Sequence, residues 1–124
     1  NTAIEAFEIE ILDVDAEQII LEMPITEKTR QPFGLLHGGV SMVLAETAAS
    51  SHSLWGVDFS KVVPVGIEIN GSHLRSASEG RVRAIAKVVR RSRTLIVHQI
   101  DIWHIETDKQ LCTARVTNYY KPVG

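Results

Sequence analysis

In the sequence of 124 residues, the stretch Gln31-Pro32-Phe33-Gly34-Leu35-Leu36-His37-Gly38-Gly39 holds the densest set of groups able to handle a carbonyl substrate. Glycines at a helix entry leave backbone N–H groups open to close approach, and a helix N-terminus carries partial positive charge. That combination suits a developing oxyanion. Gln31 adds an amide donor, and His37 can fix the loop or donate through an imidazole N–H. The same residues also fit a tight helix-entry turn in which Gly38 and Gly39 supply positive φ and His37 only caps.

Glu46 gives this loop a chemical partner. It is the only charged residue between Arg30 and Asp58, and Leu44, Ala45, Ala48 and Ala49 around it are apolar, so the sequence predicts a partly desolvated carboxylate. Burial raises a carboxyl pKa toward neutrality, which suits a general base or nucleophile. A structural glutamate paired with a buried arginine is the competing account. Ser50 follows at i+4 on the same helical face. It is placed to hold a water or the substrate, or to bond the Glu46 carbonyl as an ordinary helix serine.

Along a helix, the separation from Gly38 to Glu46 is about 12 Å at about 1.5 Å per residue. One carbonyl cannot touch both. If a Gly38 N–H polarises the carbonyl that Glu46 attacks, the two groups come from different copies of the chain related by a two-fold axis. The expectation is an obligate homodimer with two shared sites. An apolar helix covered on one side by a single sheet asks for the same partner.

The elements that must position these groups read as two strands, a helix and four strands. Phe7 to Val14 and Gln18 to Ile25 are rich in β-branched and aliphatic residues and are joined by the polar Asp13-Val14-Asp15-Ala16. Thr26 to Gly39, with Pro32, Gly34, Gly38 and Gly39, supports neither period and reads as an ordered loop. Val40 to Leu54 is built of helix formers, apolar on nearly every side and closed by Gly56, the pattern of a fully buried helix. Val62 to Ser76, Arg81 to Val88, Arg93 to Ile105 and Gln110 to Tyr120 return to period two, with turns at Ser78-Glu79-Gly80 and Glu106-Thr107-Asp108-Lys109. Strands of a dozen residues would reach roughly 40 Å, too long to lie flat over a small core, so the sheet must curl around the lone helix. The fold class is α+β, an antiparallel wrap in one domain spanning 1–124.

Composition removes several function classes. A net charge of −2 offers no overall attraction to nucleic acid or to an anionic membrane face. The longest apolar run, Val40 to Leu54, is broken by Glu46 and His52 and is short of a bilayer span. Cys112 is the single cysteine and reads as a buried filler, and together with the absence of a basic, then apolar leader it makes the cytoplasm the expected compartment. A Gly-x-Ser-x-Gly elbow is missing around Ser41, and the five histidines show no zinc-binding spacing, so neither a serine hydrolase nor a metal enzyme is expected. His98 and His104 share a strand face, packed or at the solvent edge. Trp55 and Trp103 either line a pocket for an aromatic group or fill the core.

The loop from Gln31 to Gly39 followed by Ala45-Glu46-Thr47 resembles the hotdog-fold acyl-CoA thioesterases, of the type that hydrolyse 4-hydroxybenzoyl-CoA, 1,4-dihydroxy-2-naphthoyl-CoA and phenylacetyl-CoA-related esters. The likeness continues through Val65 to Asn70, His73 to Ser76 and Glu79 to Val82. It implies a curled sheet around one long helix and an acyl-CoA ester as substrate, with no separate cofactor. It implies that the Gly38 N–H polarises the thioester carbonyl, supported by Gln31 and His37. Glu46 of the facing subunit would be the nucleophile or base, with Ser50 orienting water or substrate. It further implies CoA binding by Gly66, by His73, Leu74, Arg75 and Ser76, and by Arg90, Arg91, Ser92, Arg93, Thr94 and Leu95. Arg90 to Thr94 is also the densest positive cluster of the chain, suited to phosphates or equally to a solvated turn.

Two functions of different class fit these residues. One is a thioesterase acting as a homodimer that pairs into a homotetramer; the other is a non-catalytic acyl-CoA binding or sensing module on the same scaffold. A hotdog dehydratase acting on carrier-protein substrates would pair its catalytic histidine and acid differently.

Overall fold

The computed structural model describes residues 2–124. In chain order the elements are α1 (Ala3–Ala6), β1 (Glu10–Val14), β2 (Gln18–Pro24), α2 (Gly38–His52), β3 (Val62–His73), β4 (Arg81–Arg91), β5 (Leu95–His104) and β6 (Lys109–Pro122). The strands form one antiparallel sheet in the order β1-β2-β4-β5-β6-β3. Helix α2 packs against β2, β3, β4, β5 and β6. This is the expected α+β wrap, with β1 and β3 as its two edges.

Strict alternation builds the core. Ile19, Leu21 and Met23 of β2, Val82, Ala84 and Ala86 of β4, Ile96, Ile100 and Ile102 of β5, and Cys112, Ala114 and Val116 of β6 face inward. Against them lie Val40, Leu44, Ala45, Ala48 and Ala49 of α2, and the alanines on both sides let the helix sit close to the sheet. Each fully buried Leu or Ile here contributes about 1.5–3 kcal/mol. His98 and His104 lie on this inner face, as their even spacing implies. Cys112 is buried within it, its thiol pushed up to about 11, chiefly by desolvation.

Several boundaries differ from the sequence reading. The first strand starts at Glu10 rather than Phe7, because Ala3–Ala6 forms a one-turn helix capped by the Thr2 hydroxyl, after which Phe7 closes the helix and Glu8 turns the chain at φ 57°. Helix α2 begins at Gly38 and ends at His52, not at Val40 and Leu54. Strand β3 stops at His73, β4 runs on to Arg91, β5 is confined to Leu95–His104, and β6 extends over Lys109–Pro122. The hairpin after β1 is held by Asp15, whose carboxylate accepts from the N–H groups of Glu17 (2.8 Å) and Gln18 (3.0 Å). The turn between β5 and β6 has no glycine, and Asp108 takes the left-handed conformation at φ 55°.

Helix α2 is not covered all round. Val40, Ser41, Leu44, Ala45, Ala48, Ala49 and His52 are buried, whereas Glu46 is exposed and Met42, Val43, Thr47, Ser50 and Ser51 are half-buried. A single sheet can cover only one side of a helix, so apolar composition on the other side does not produce burial within one chain. Neither tryptophan is in the core: Trp55 lies exposed beyond the end of α2, and Trp103 is half-buried on the outer sheet face beside Arg83 and Ile85. Among the described residues no helix is long and apolar enough to cross a membrane.

Candidate active site

Eleven of the residues named above as catalytic or CoA-binding line one of three cavities, and His37, Leu74, Arg90, Thr94 and Leu95 line none of them. The first, about 240 Å³, is lined by Gln31, Gly38, His73, Arg75 and Ser76, with Ser41 and Leu111 behind them. The loop leading to it is tightly built. Gln31 accepts through Oε1 from the N–H groups of Phe33 (2.6 Å) and Leu35 (3.3 Å), and its own N–H bonds the Leu35 carbonyl (2.7 Å). With Oε1 occupied by the loop, the Nε2 donors are the part of Gln31 left for a ligand. Gly34 turns this loop at φ 84°.

His37 is the N-cap of α2: its Nδ1 accepts from the Gly39 N–H at 2.8 Å. A ring nitrogen that accepts from an amide is unprotonated, so the imidazole is the tautomer carrying its proton on Nε2. The side chain is exposed and does not line the cavity; its part is to fix the helix start. Gly38 and Gly39 belong to the helix and do not adopt positive φ. What excludes a side chain is contact: a Cβ at Gly38 would stand 2.9 Å from His73 Nε2, and one at Gly39 would stand 2.9 Å from His37 Cε1. As the first helical residue, Gly38 has no intrahelical acceptor for its N–H, and no other described group accepts from it.

The second cavity, about 480 Å³, is lined by Glu46, Ser50, Ser51, Thr47, Val43 and Gly66, with Ala3 and Ile4 of α1 closing one side. The carboxylate rests over Gly66, where a Cβ would lie 2.9 Å from Glu46 Oε2. The missing side chain of Gly66 therefore makes room for Glu46. A bulge between Gly66 and Glu68 in the pairing of β3 with β6 marks the same spot. Ser50 Oγ donates to Asn118 Oδ1 at 3.5 Å, so the hydroxyl bonds across to β6 instead of back to the Glu46 carbonyl. The predicted desolvation of Glu46 is not met within one protomer: its carboxylate lies against the edge strand β3 at Gly66, with nothing beyond that edge to cover it, and the residue is exposed.

The third cavity, about 400 Å³, lies beyond the end of α2 between Trp55, Val57 and Lys61 on one side and Arg91, Ser92, Arg93 and Tyr120 on the other. Ser92 closes the β4–β5 turn through its own hydroxyl, which accepts from the N–H groups of Thr94 (3.3 Å) and Leu95 (3.0 Å). Arg91 donates to Tyr120 Oη at 3.3 Å, and Tyr120 Oη donates to the Ser53 carbonyl at 2.9 Å, tying the hairpin to the helix end. Arg90, Thr94 and Leu95 are exposed and line none of these three cavities; Leu74 is likewise outside them. Arg75 spends one donor on the Gln110 carbonyl (2.9 Å), which fixes it at the mouth of the first cavity.

Within one chain the Gly38 N–H and the Glu46 carboxylate thus open into different cavities that share no lining residue. Asn118 is the residue the sequence reading passed over. It occupies an inward position of β6, in phase with Cys112, Ala114, Val116 and Tyr120, and a fully buried amide in that apolar phase was its signal.

A six-stranded antiparallel sheet packed on one helix, with a glycine amide at the helix start and a carboxylate two turns on, defines a hotdog-type acyl-transfer scaffold. Residues 33–118 match the family model described as thioesterase superfamily, and the chain belongs to that superfamily. It is a thioester hydrolase. It is 42% identical over 113 residues to a 1,4-dihydroxy-2-naphthoyl-CoA hydrolase of Listeria monocytogenes, covering 91% of this chain and 90% of that one. The Escherichia coli protein of the same name is 44% identical over 95 residues, covering 77% and 68%. A solved structure of a mutant thioesterase from Pseudomonas aeruginosa superposes with a TM-score of 0.95 at 38% identity, covering 99% of this chain and 88% of that one.

Proposed function

We propose that the protein hydrolyses the thioester of an aromatic or medium-sized acyl-CoA, with each reaction centre shared between two copies of the chain. The observation that carries this reading is the separation of an unpartnered Gly38 N–H from the Glu46 carboxylate into two cavities of one protomer. Pairing of two chains supplies the missing half of each. Strand β3 supports such pairing: it is a long edge strand, exposed along most of its length, with Val63, Val65 and Ile67 among its exposed residues and Gly66 against Glu46 of α2. Covering that edge would also desolvate Glu46.

In the assembled centre the Gly38 N–H of one protomer, at the positive end of α2, polarises the carbonyl, with the free amide donors of Gln31 and the imidazole of His73 beside it. Glu46 of the other protomer attacks the carbonyl carbon directly or removes a proton from the water that does. If water attacks, the tetrahedral oxyanion collapses, the C–S bond breaks, and the CoA thiolate leaves and takes up the proton that Glu46 removed. If Glu46 attacks, the thiolate leaves an acyl–Glu46 anhydride, and water then hydrolyses it, freeing the acid and the carboxylate and supplying the thiolate's proton. The chemistry needs no cofactor. Arg75 and Ser76 on one side, and Arg91, Ser92 and Arg93 on the other, suit the phosphates and the pantetheine arm of CoA.

The test is hydrolysis of benzoyl-CoA and its analogues, followed by thiol release, for the native protein and Glu46→Ala. Loss of the attacking group is expected to lower turnover by at least about 10²-fold. A fully active variant would remove Glu46 from the mechanism. A native protein that binds CoA esters and never turns them over would instead identify the binding or sensing module.

A further inference from the structure

Asn118 has no structural excuse for being an asparagine. It faces the core from β6, is fully buried, and leaves its Nδ2 donors without a partner among the described residues. The residues two before and two after it on the same face are Val116 and Tyr120, so pattern alone would put a hydrophobe there. A buried amide left half-satisfied is a cost that a fold retains when the group does something else.

Its surroundings say what that is. In the register of β3 with β6, Asn118 sits directly across from Gly66. A Cβ on Gly66 would lie 3.7 Å from Asn118 Oδ1 and 2.9 Å from Glu46 Oε2, so the amide and the carboxylate look onto the same small space. Ser50, one turn beyond Glu46 on α2, donates its hydroxyl hydrogen to Asn118 Oδ1 at 3.5 Å. A serine hydroxyl has one hydrogen and two lone pairs. With the hydrogen directed at Asn118, what remains for the Glu46 cavity is acceptor capacity.

From this we infer that Asn118 is a positioning residue of the hydrolysis, holding the Ser50 hydroxyl as a hydrogen-bond acceptor beside Glu46. This rests on the thioesterase reading given above. The consequence is chemical. A water between the two residues donates one hydrogen to Ser50 Oγ and the other to the Glu46 carboxylate, which leaves an oxygen lone pair free for the carbonyl carbon. As the new C–O bond forms, the second hydrogen passes to Glu46 as a proton and later leaves with the CoA thiolate. Without Asn118 the Ser50 hydrogen can turn toward Glu46 and block the base.

The experiment is a double-mutant cycle in steady-state thioester hydrolysis with benzoyl-CoA, using native protein, Asn118→Ala, Ser50→Ala and the double variant, with melting temperatures for each. Asn118→Val, which fills the space without hydrogen bonding, is the companion that separates a cavity effect from the lost bond. Asn118→Ala and Asn118→Val are each expected to lower kcat about tenfold with KM nearly unchanged, as loss of one hydrogen bond acting in the transition state would. On the Ser50→Ala background, removing the amide is expected to change kcat by less than about twofold. An equal loss on both backgrounds, or no loss in a folded variant of active native protein, overturns the inference. A native protein inactive on every thioester overturns the thioesterase reading beneath it, a result readable before any variant is made.

Discussion

Gly66 and Glu46 are in contact across the β3–α2 interface: a methyl group on Gly66 would sit 2.9 Å from Glu46 Oε2. The glycine thus belongs to the carboxylate's site, in addition to any part it takes in holding CoA. Gly66→Ala is expected to push the carboxylate by a few tenths of an ångström, at little cost in stability because only the end of a flexible side chain must move. Misplacing a reacting group on that scale lowers kcat about 10- to 100-fold. Steady-state kinetics together with a thermal melt check this; unchanged turnover in a folded variant would show that the contact does not set the position of Glu46.

Shared centres make a mixing prediction. Gly38→Val, whose side chain would collide with His73 Nε2, and Glu46→Ala should each be inactive. In a mixture of the two, half the dimers pair unlike chains, and one of the two centres in each such dimer carries both intact groups. Activity should return to about a quarter of native. If subunit exchange is demonstrated and nothing returns, the two groups do not meet across a dimer.

Arg91 and Arg93 line the cavity beyond α2 with Lys61 and Trp55. Replacing either arginine by alanine should raise KM for CoA thioesters roughly 5- to 30-fold with little change in kcat, as removal of a charge-assisted phosphate contact does. An N-acetylcysteamine thioester of the same acyl group has no nucleotide and should not notice the change. Equal effects on both substrates would place these arginines in the fold alone.

A buried histidine pair makes the fold acid-sensitive. His52 Nε2 donates to the Asp15 carbonyl at 2.7 Å, which leaves His52 Nδ1 to accept from His98 Nε2–H at 2.8 Å. His98 Nδ1 then faces no partner among the described residues. Burial first, and then the electrostatic influence of His52 and Arg91, hold the His98 pKa down at about 3. The unfolded chain takes up this proton near pH 6.5, so it binds more protons than the folded chain below that pH. Stability should therefore be complete above about pH 6.5 and fall as the pH drops toward 3, by up to about 1.4 kcal/mol per pH unit from this group. Urea unfolding at a series of pH values measures the slope. His98→Gln should flatten it, and an unchanged slope in that variant would assign the sensitivity to another group.

Much of this was legible in the residues themselves, because their signals are local. Period-two alternation in β2, β4, β5 and β6 reports which side chains face the helix, and the run from Gln31 to Gly39 followed by Glu46 carries the resemblance to the thioesterases, the superfamily to which the chain belongs. What only the tertiary structure decided is whatever depends on a second element arriving. Apolar neighbours in sequence imply burial of Glu46, yet the sheet ends at β3 and the carboxylate, lying against that edge at Gly66, stays exposed. Of the two readings of Gly38 and Gly39, a positive-φ turn and open backbone donors at a helix entry, the first does not hold: both are helical, and a side chain at either would meet His73 or His37. Asn118 is 68 residues from Ser50 along the chain, and no spacing rule spans that distance. Periodicity fixes the direction of a side chain relative to its own backbone; which group it meets there is set by strand register and by the packing of the helix.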